Sequence, residues 1–163
     1  MGLAAFMTKK ISVRDVTADN WEAVVDLELL EEQEDFVASN AYSLAESKYN
    51  AFAVPQAIYA GKKVVGFVMY ETLHDEGEPE TYSIYRFMID RRHQGHGYGR
   101  RALEQVLKEI SKRPDSKRIT ICYVPNNANA KRFYASLGFK EIGLDDSGEM
   151  VAEIRLSEGF LSG

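Results

Sequence analysis

The chain has 163 residues, 45% of them hydrophobic and 28% charged, with a formal net charge of -5 at pH 7. That length fits one ordinary domain with a real core, and the composition excludes a disordered chain. No apolar run approaches a membrane span, the MGLAAFM start is too brief for a signal peptide, and the single cysteine, Cys122, has no partner for an intrachain disulfide, so the cytoplasm is the expected compartment. Residues 1–6 read as foreign to the native chain or as a frayed end. A single domain spanning 1–163, with its core at about 10–156, is expected.

In chain order, KKISVRDV alternates and predicts a first strand. Thr17 is placed to N-cap a helix whose Trp21, Val24, Val25 and Glu28 share a face. A second helix is expected from about Asn40 to Asn50. AFAVPQAIYA and KVVGFVMYETL, joined at Gly61 and Lys62, predict a hairpin, with Pro55 weakening or starting its first arm. HDEGEPE reads as a loop, and TYSIYRFMID as a central strand. A helix follows with Ala102, Leu103, Val106, Leu107 and Ile110 on one face, stopped by Pro114. KRITICYV is a strand that packs the Cys122 thiol, NNANAKRFYASLG a short helix ended by Gly138, and FKEIGLDDSGEMVAEIRL a hairpin turning near Asp146 to Gly148. This order predicts an α/β fold with a mixed, mostly antiparallel central sheet flanked by helices.

Charge is unevenly spread. Ten acids face one base from Asp15 to Tyr49, whereas nine Lys or Arg face three acids from Arg91 to Arg118. One region suits a cation and the other an anion. The second region contains DRRHQGHGYGRR, in which Gly95, Gly97 and Gly99 alternate between a strand and a helix. Glycines there let backbone approach a ligand, and a helix N-terminus offers free N–H groups to an anion such as phosphate. No Gly-Lys-Ser/Thr follows, so this is not a P-loop, and its place after a late strand does not fit a dinucleotide fingerprint. His93 and His96 lack a third ligand of suitable spacing, and no metal is expected. Nucleic acid is not expected as a partner either, because the chain is acidic and its aromatics do not interleave with the basic residues.

Further on, Asn127, Ala130 and Tyr134 stand at i, i+3 and i+7, one stripe of a helix. Ala130 leaves room beside that helix, Asn127 is suited to capping it, and Tyr134 carries a transferable proton. Packing of Ala130, Phe133, Tyr134 and Leu137 on the core explains the same stripe.

Together, Gln94-x-x-Gly97-x-Gly99 after a strand and Asn127-x-x-Ala130-x-x-x-Tyr134-x-x-x-Gly138-Phe139 resemble the two signatures of the GCN5-related N-acetyltransferase superfamily, and the likeness spans about Lys10 to Leu156. The resemblance implies acetyl-CoA as co-substrate, with its pyrophosphate over Gln94, Gly95, His96, Gly97, Tyr98, Gly99 and Arg100. It implies a pantetheine arm along the exposed backbone of Phe87, Met88 and Ile89, where a main-chain N–H would stabilise the oxyanion. It further places Asn127, Ala130 and Lys131 at the cofactor and makes Tyr134 the general acid for the departing thiolate.

The resemblance also implies a small-molecule amine as acceptor, attacking the thioester directly. Its proton must go to a carboxylate, a tyrosine or a water chain, with Glu71, Tyr85, Glu28 and Glu31 as candidates. EEQEDFVASNAYSLAESKYN, AIYAGKKVVGFVMY and YRFMIDRRHQGHGYG are similar to bacterial spermine/spermidine acetyltransferases. That likeness implies a polyamine acceptor held by Glu28, Glu31, Glu34, Glu71 and Tyr85, and a homo-oligomer such as a dimer. An aminoglycoside, an amino acid or a protein N-terminus as acceptor stands as the alternative, as does a non-catalytic acetyl-CoA-binding regulator. A solvated acidic helix end is the plain reading of the Glu28 to Asp35 stretch.

Overall fold

The computed structural model describes residues 9–157, so the reading of residues 1–6 lies outside it. Seven strands form one sheet: β1 (Ile11–Asp15), β2 (Val54–Ala60), β3 (Lys63–Leu73), β4 (Glu78–Ile89), β5 (Arg118–Tyr123), β6 (Lys140–Leu144) and β7 (Met150–Arg155). Four α-helices, α1 (Trp21–Val25), α2 (Asn40–Ser47), α3 (Tyr98–Ser111) and α4 (Ala128–Ser136), connect them. The spatial order is β1-β2-β3-β4-β5-β7-β6. Every pairing is antiparallel except β4 with β5, which are parallel because α3 crosses over between them.

Side-chain alternation along the strands divides the core between the two faces. On one face Val68, Tyr70, Ile84, Ile119 and Ile121 pack under Ala102, Leu103, Val106 and Ile110 of α3 and Tyr134 of α4. The apolar stripe of α3 is the one its spacing predicts, and each fully buried Leu, Ile or Val contributes about 1.5–3 kcal/mol. On the other face Ala57, Phe67, Met69 and Met88 meet Val24 of α1, with Leu44 of α2 at their margin. α3 and α4 therefore cover one side, and α1 and α2 the other.

Several local expectations are corrected. Asn20, not Thr17, is the N-cap of α1; Thr17 Oγ1 accepts the Asp19 N–H and its own N–H donates to Asn20 Oδ1 at 2.8 Å, which closes the preceding turn. α1 ends at Val25, so Glu28 is not on its face. The chain leaves early because the Glu28 N–H is held by the carboxylate of Asp90 at 2.9 Å. Residues Glu31–Phe36, without helical periodicity, form a 3-10 helix. α2 stops at Ser47, short of Asn50, whose Oδ1 takes the Phe52 N–H. HDEGEPE is only partly a loop: a short turn of His74–Glu76 ends at Gly77 with φ 81, and β4 begins at Glu78 in an irregular stretch of ladder. Cys122 is half-buried rather than packed in the core, because it points to the face opposite Ile121 and Tyr123.

Candidate active site

The site begins where β4 ends. Asp90 is fully buried and accepts the Arg92 N–H and Arg92 Nε, both at 2.9 Å, beside the bond from Glu28. Burial alone would push its carboxyl up. The hydrogen bonds from the Arg92 side chain and from the Glu28 and Arg92 backbones, with the Arg92 charge, overcome this and bring it down to about 2. The turn that follows is thereby fixed to the segment ahead of the 3-10 helix, a link strengthened by Arg91 N–H to Glu28 O at 2.7 Å. Gly95 and Gly97 adopt φ 79 and φ 76, and Gly97 is the N-cap of the 14-residue α3 with no side-chain cap. The first N–H groups of α3 thus lack helical acceptors and face the groove described next.

β4 and β5 run side by side only from Thr81↔Arg118 to Ile84↔Ile121. Beyond that point β4 continues to Ile89 with its β5-facing edge open. The departure coincides with a bulge: Tyr70 pairs Ile84 while Met69 pairs Arg86, leaving Tyr85 as the extra residue. The opening is a groove of about 790 Å³. Its walls include Phe87, Met88 and Ile89 of β4, Gln94, Gly95, Gly97, Tyr98, Gly99 and Arg100 of the turn and α3, and Asn127 and Ala130 at α4. Asn127 caps α4 by accepting the Ala130 N–H at 3.1 Å.

The structure therefore brings together eleven of the thirteen expected cofactor residues. The other two, His96 and Lys131, are exposed and not on the groove wall; Lys131 Nζ lies 3.8 Å from Glu141, drawn across α4 by that carboxylate. The sequence reading missed the groove's outer wall. Gln33 Oε1 accepts from Gln94 Nε2 at 2.8 Å, and Phe36 stands near the same opening. No periodic signal marks this short 3-10 segment.

At the inner end of the groove a narrow cavity of about 70 Å³ passes between the splayed strands. Tyr134 and Ala130 line it on the α4 side, and Tyr85 and Cys122 on the other. Tyr134 is 8% exposed, lies against Tyr123 at 5.6 Å between ring centroids, and its hydroxyl makes no hydrogen bond within the described residues. Burial, and secondarily Tyr123, pushes its phenol far up, so it stays protonated. Tyr123 is itself pushed up to about 12 by burial and by donating to Glu141. Cys122 is raised to about 11 by burial and by the carboxylates of Asp145, Glu149 and Glu76, so it is a neutral thiol rather than a nucleophile.

The expected acceptor residues fall into two places. Tyr85 lines the narrow cavity together with Arg86, and Glu71 of β3 is close enough to act on the Tyr85 hydroxyl. Burial raises the Glu71 carboxyl against an opposing hydrogen bond from Asn50, and Glu76 and Glu46 raise it further. The Tyr85 hydroxyl is raised by burial, Glu71 and Glu46, against the Arg86 charge and the Asn50 side chain, which lower it. Glu28, Glu31 and Glu34 line a second pocket of about 790 Å³ at the N-terminal end of α2, which shares Leu29, Val37 and Met88 with the cofactor groove and in which Glu28 is paired with Arg91 at 2.7 Å.

A splayed parallel strand pair, a glycine-rich anion site at a helix N-terminus and a buried phenol at the inner end of the groove describe an acyl-CoA-dependent N-acyltransferase. The chain belongs to the acetyltransferase (GNAT) family, whose model matches residues 13–139. It is an N-acetyltransferase, and acetyl-CoA is its co-substrate. It is 32% identical over 145 residues to the spermine/spermidine N(1)-acetyltransferase of Bacillus subtilis strain 168, covering 86% of this chain and 95% of that protein. Among solved structures it resembles the PaiA N-acetyltransferase of Thermoplasma acidophilum in complex with coenzyme A (TM-score 0.68, 16% identity, 90% and 99% of the two chains). The ribosomal-protein-S18-alanine N-acetyltransferase of Escherichia coli is as similar in fold (TM-score 0.70, 18% identity, 91% and 95%). Among the described residues, no helix is long and apolar enough to cross a membrane.

Proposed function

We propose that the protein transfers the acetyl group of acetyl-CoA to a primary amine of a polyamine such as spermidine or spermine. The observation that carries this reading is the narrow cavity between β4 and β5, which joins Tyr134 on the cofactor side to Tyr85 on the acceptor side, where the Glu71 carboxylate is close enough to act on the Tyr85 hydroxyl. In this reading the pyrophosphate lies against Gly95 to Arg100 and the pantetheine arm pairs with the open edge of β4. An ammonium enters past Glu71 and gives its proton to that carboxylate, whose raised pKa suits it to the task. The neutral amine attacks the thioester carbonyl, a main-chain N–H on the open edge of β4 holds the oxyanion, and collapse expels the thiolate. Tyr134 donates its phenolic proton to the sulfur, and the proton that the attacking nitrogen must still shed to become an amide restores the phenol through water.

The polyamine choice rests on the carboxylates at the mouth and on the name of the Bacillus subtilis relative. A panel of spermine, spermidine, an aminoglycoside, free amino acids and an N-terminal peptide, each assayed with acetyl-CoA, tests it. The polyamines are expected to give the highest kcat/KM. Turnover of another class with none of the polyamines would refute the acceptor assignment.

A further inference from the structure

The groove beside β4 narrows from about 790 Å³ to the passage of about 70 Å³, and five residues line both: Phe36, Val37, Phe87, Asn127 and Ala130. With the pantetheine arm along the open edge of β4 and Tyr134 donating to the sulfur, the thioester lies at this constriction. Phe87, Asn127 and Ala130 belong to the frame of the fold. Phe87 stacks on Phe133 at 6.1 Å between ring centroids, Asn127 caps α4, and Ala130 is in its first turn. Phe36 and Val37 have another origin: they stand at the end of the 3-10 helix, where the chain becomes extended at Val37 (φ -141, ψ 138).

Leu27 and Leu29, a little upstream, pack against the cluster of Val24, Ala57, Phe67, Met69 and Met88. Among the described residues, neither Phe36 nor Val37 packs against that cluster or against the one under α3. An aromatic and a β-branched side chain thus line the constriction without serving the core. Polar ties to the glycine turn hold their segment instead. Asp90 takes the Glu28 N–H, and Glu28 O takes the Arg91 N–H. The amides of Gln33 and Gln94 pair reciprocally, Nε2 to Oε1, at 3.2 and 2.8 Å. Gln94 Nε2 also donates to Ile89 O at 2.9 Å, and Gln33 Oε1 also accepts the Leu30 N–H at 3.3 Å. One amide pair therefore joins the end of β4, the turn and the start of the 3-10 helix. Downstream, Ser39 Oγ accepts the Tyr42 N–H at 3.1 Å and the buried Asn40 donates to Val24 O at 2.9 Å. Phe36 is held from both sides.

We propose that Phe36, kept at the constriction by the Gln33–Gln94 tie, sets the length of the acyl group that the enzyme transfers. Its ring leaves room for an acetyl methyl and meets the added methylenes of a longer chain. This rests on the placing of acetyl-CoA proposed above and is independent of the choice of amine. A well-held apolar site separates groups that differ by one methylene by about 10- to 200-fold, because side chains that cannot yield make overpacking costly.

The test is calorimetry of wild type, F36A, Q33A and G97V with acetyl-CoA and with butyryl-CoA, which needs no amine, followed by kcat/KM for both donors with spermidine. Wild type should favour acetyl-CoA over butyryl-CoA at least about tenfold in affinity and in kcat/KM. In F36A, whose missing ring serves neither core cluster, both ratios should fall to within about threefold of unity. Q33A keeps the ring but frees it, so the ratios should fall by about 2- to 10-fold, the worth of a neutral hydrogen bond. Unchanged ratios in F36A, equal weakening of both donors, or a wild type that does not discriminate would overturn the assignment of Phe36. Relaxation in F36A without any in Q33A would overturn the role of the tie. Wild-type affinity of G97V for acetyl-CoA would overturn the cofactor placement and the proposal with it. Calorimetric ratios as expected with no acetylation of spermidine would uphold Phe36 and remove only the choice of amine.

Discussion

Replacing Asp90 with Asn tests how the glycine turn is held. The carboxylate has no exposed surface and satisfies Glu28 N–H through one oxygen and Arg92 N–H and Nε through the other. The amide keeps the shape but loses the charge, and it turns an N–H toward one of these donors. Lowering the carboxyl from 3.8 to about 2 corresponds to about 2.4 kcal/mol at full weight. Arg92 is 61% exposed, so solvent screens the pair and about 1–2 kcal/mol remains. A buried donor left facing an N–H adds about 1 kcal/mol or more. D90N should therefore cost about 2–3 kcal/mol at pH 7, and lower Tm by about 5–10 °C for a chain of this size. Because the folded-state pKa is depressed, the electrostatic share is present above about pH 4 and is lost as pH falls from there toward 2. Urea unfolding of wild type and D90N at pH 7, 4 and 3 measures both quantities. A difference below about 0.5 kcal/mol at pH 7, or one that does not narrow between pH 4 and 3, would refute the reasoning.

Two further outcomes concern catalysis. Gly97→Val places a β-branched side chain at φ 76, on the backbone that the pyrophosphate is proposed to approach, and should weaken acetyl-CoA binding at least about tenfold by calorimetry; wild-type affinity would remove Gly97 from the anion site. Tyr134→Phe keeps the packing against Tyr123 and Phe139 but removes the proton, so kcat should fall by about ten- to a thousand-fold with the KM for acetyl-CoA nearly unchanged; undiminished turnover across the pH range would exclude it as the general acid.

The parts of this protein governed by local rules are legible along the chain. Alternation marked β1, a tight-turn signal marked the β2–β3 hairpin, a nearly continuous apolar and aromatic run marked β4, the apolar stripe marked α3, and the spacing of Gly95, Gly97 and Gly99 before a helix marked an anion site, because backbone freedom and helix-end N–H groups are properties of a few adjacent residues. Asn127, Ala130 and Tyr134 were legible for the same reason. Which distant groups meet is set by the packing of the whole chain. The bulge at Tyr85 and the parting of β4 from β5 after Ile84 depend on strand register, which no local pattern encodes. The run of carboxylates from Glu28 to Glu34 is dense in sequence, but that it lines a pocket bordering the cofactor groove at Leu29, Val37 and Met88 follows only from the packing. Asp145 and Glu149, in an ordinary-looking hairpin turn, arrive beside Cys122 because β7 pairs with β5. Charge along a chain is a local quantity, but the field that an incoming ammonium meets is the sum over strands brought together by the sheet.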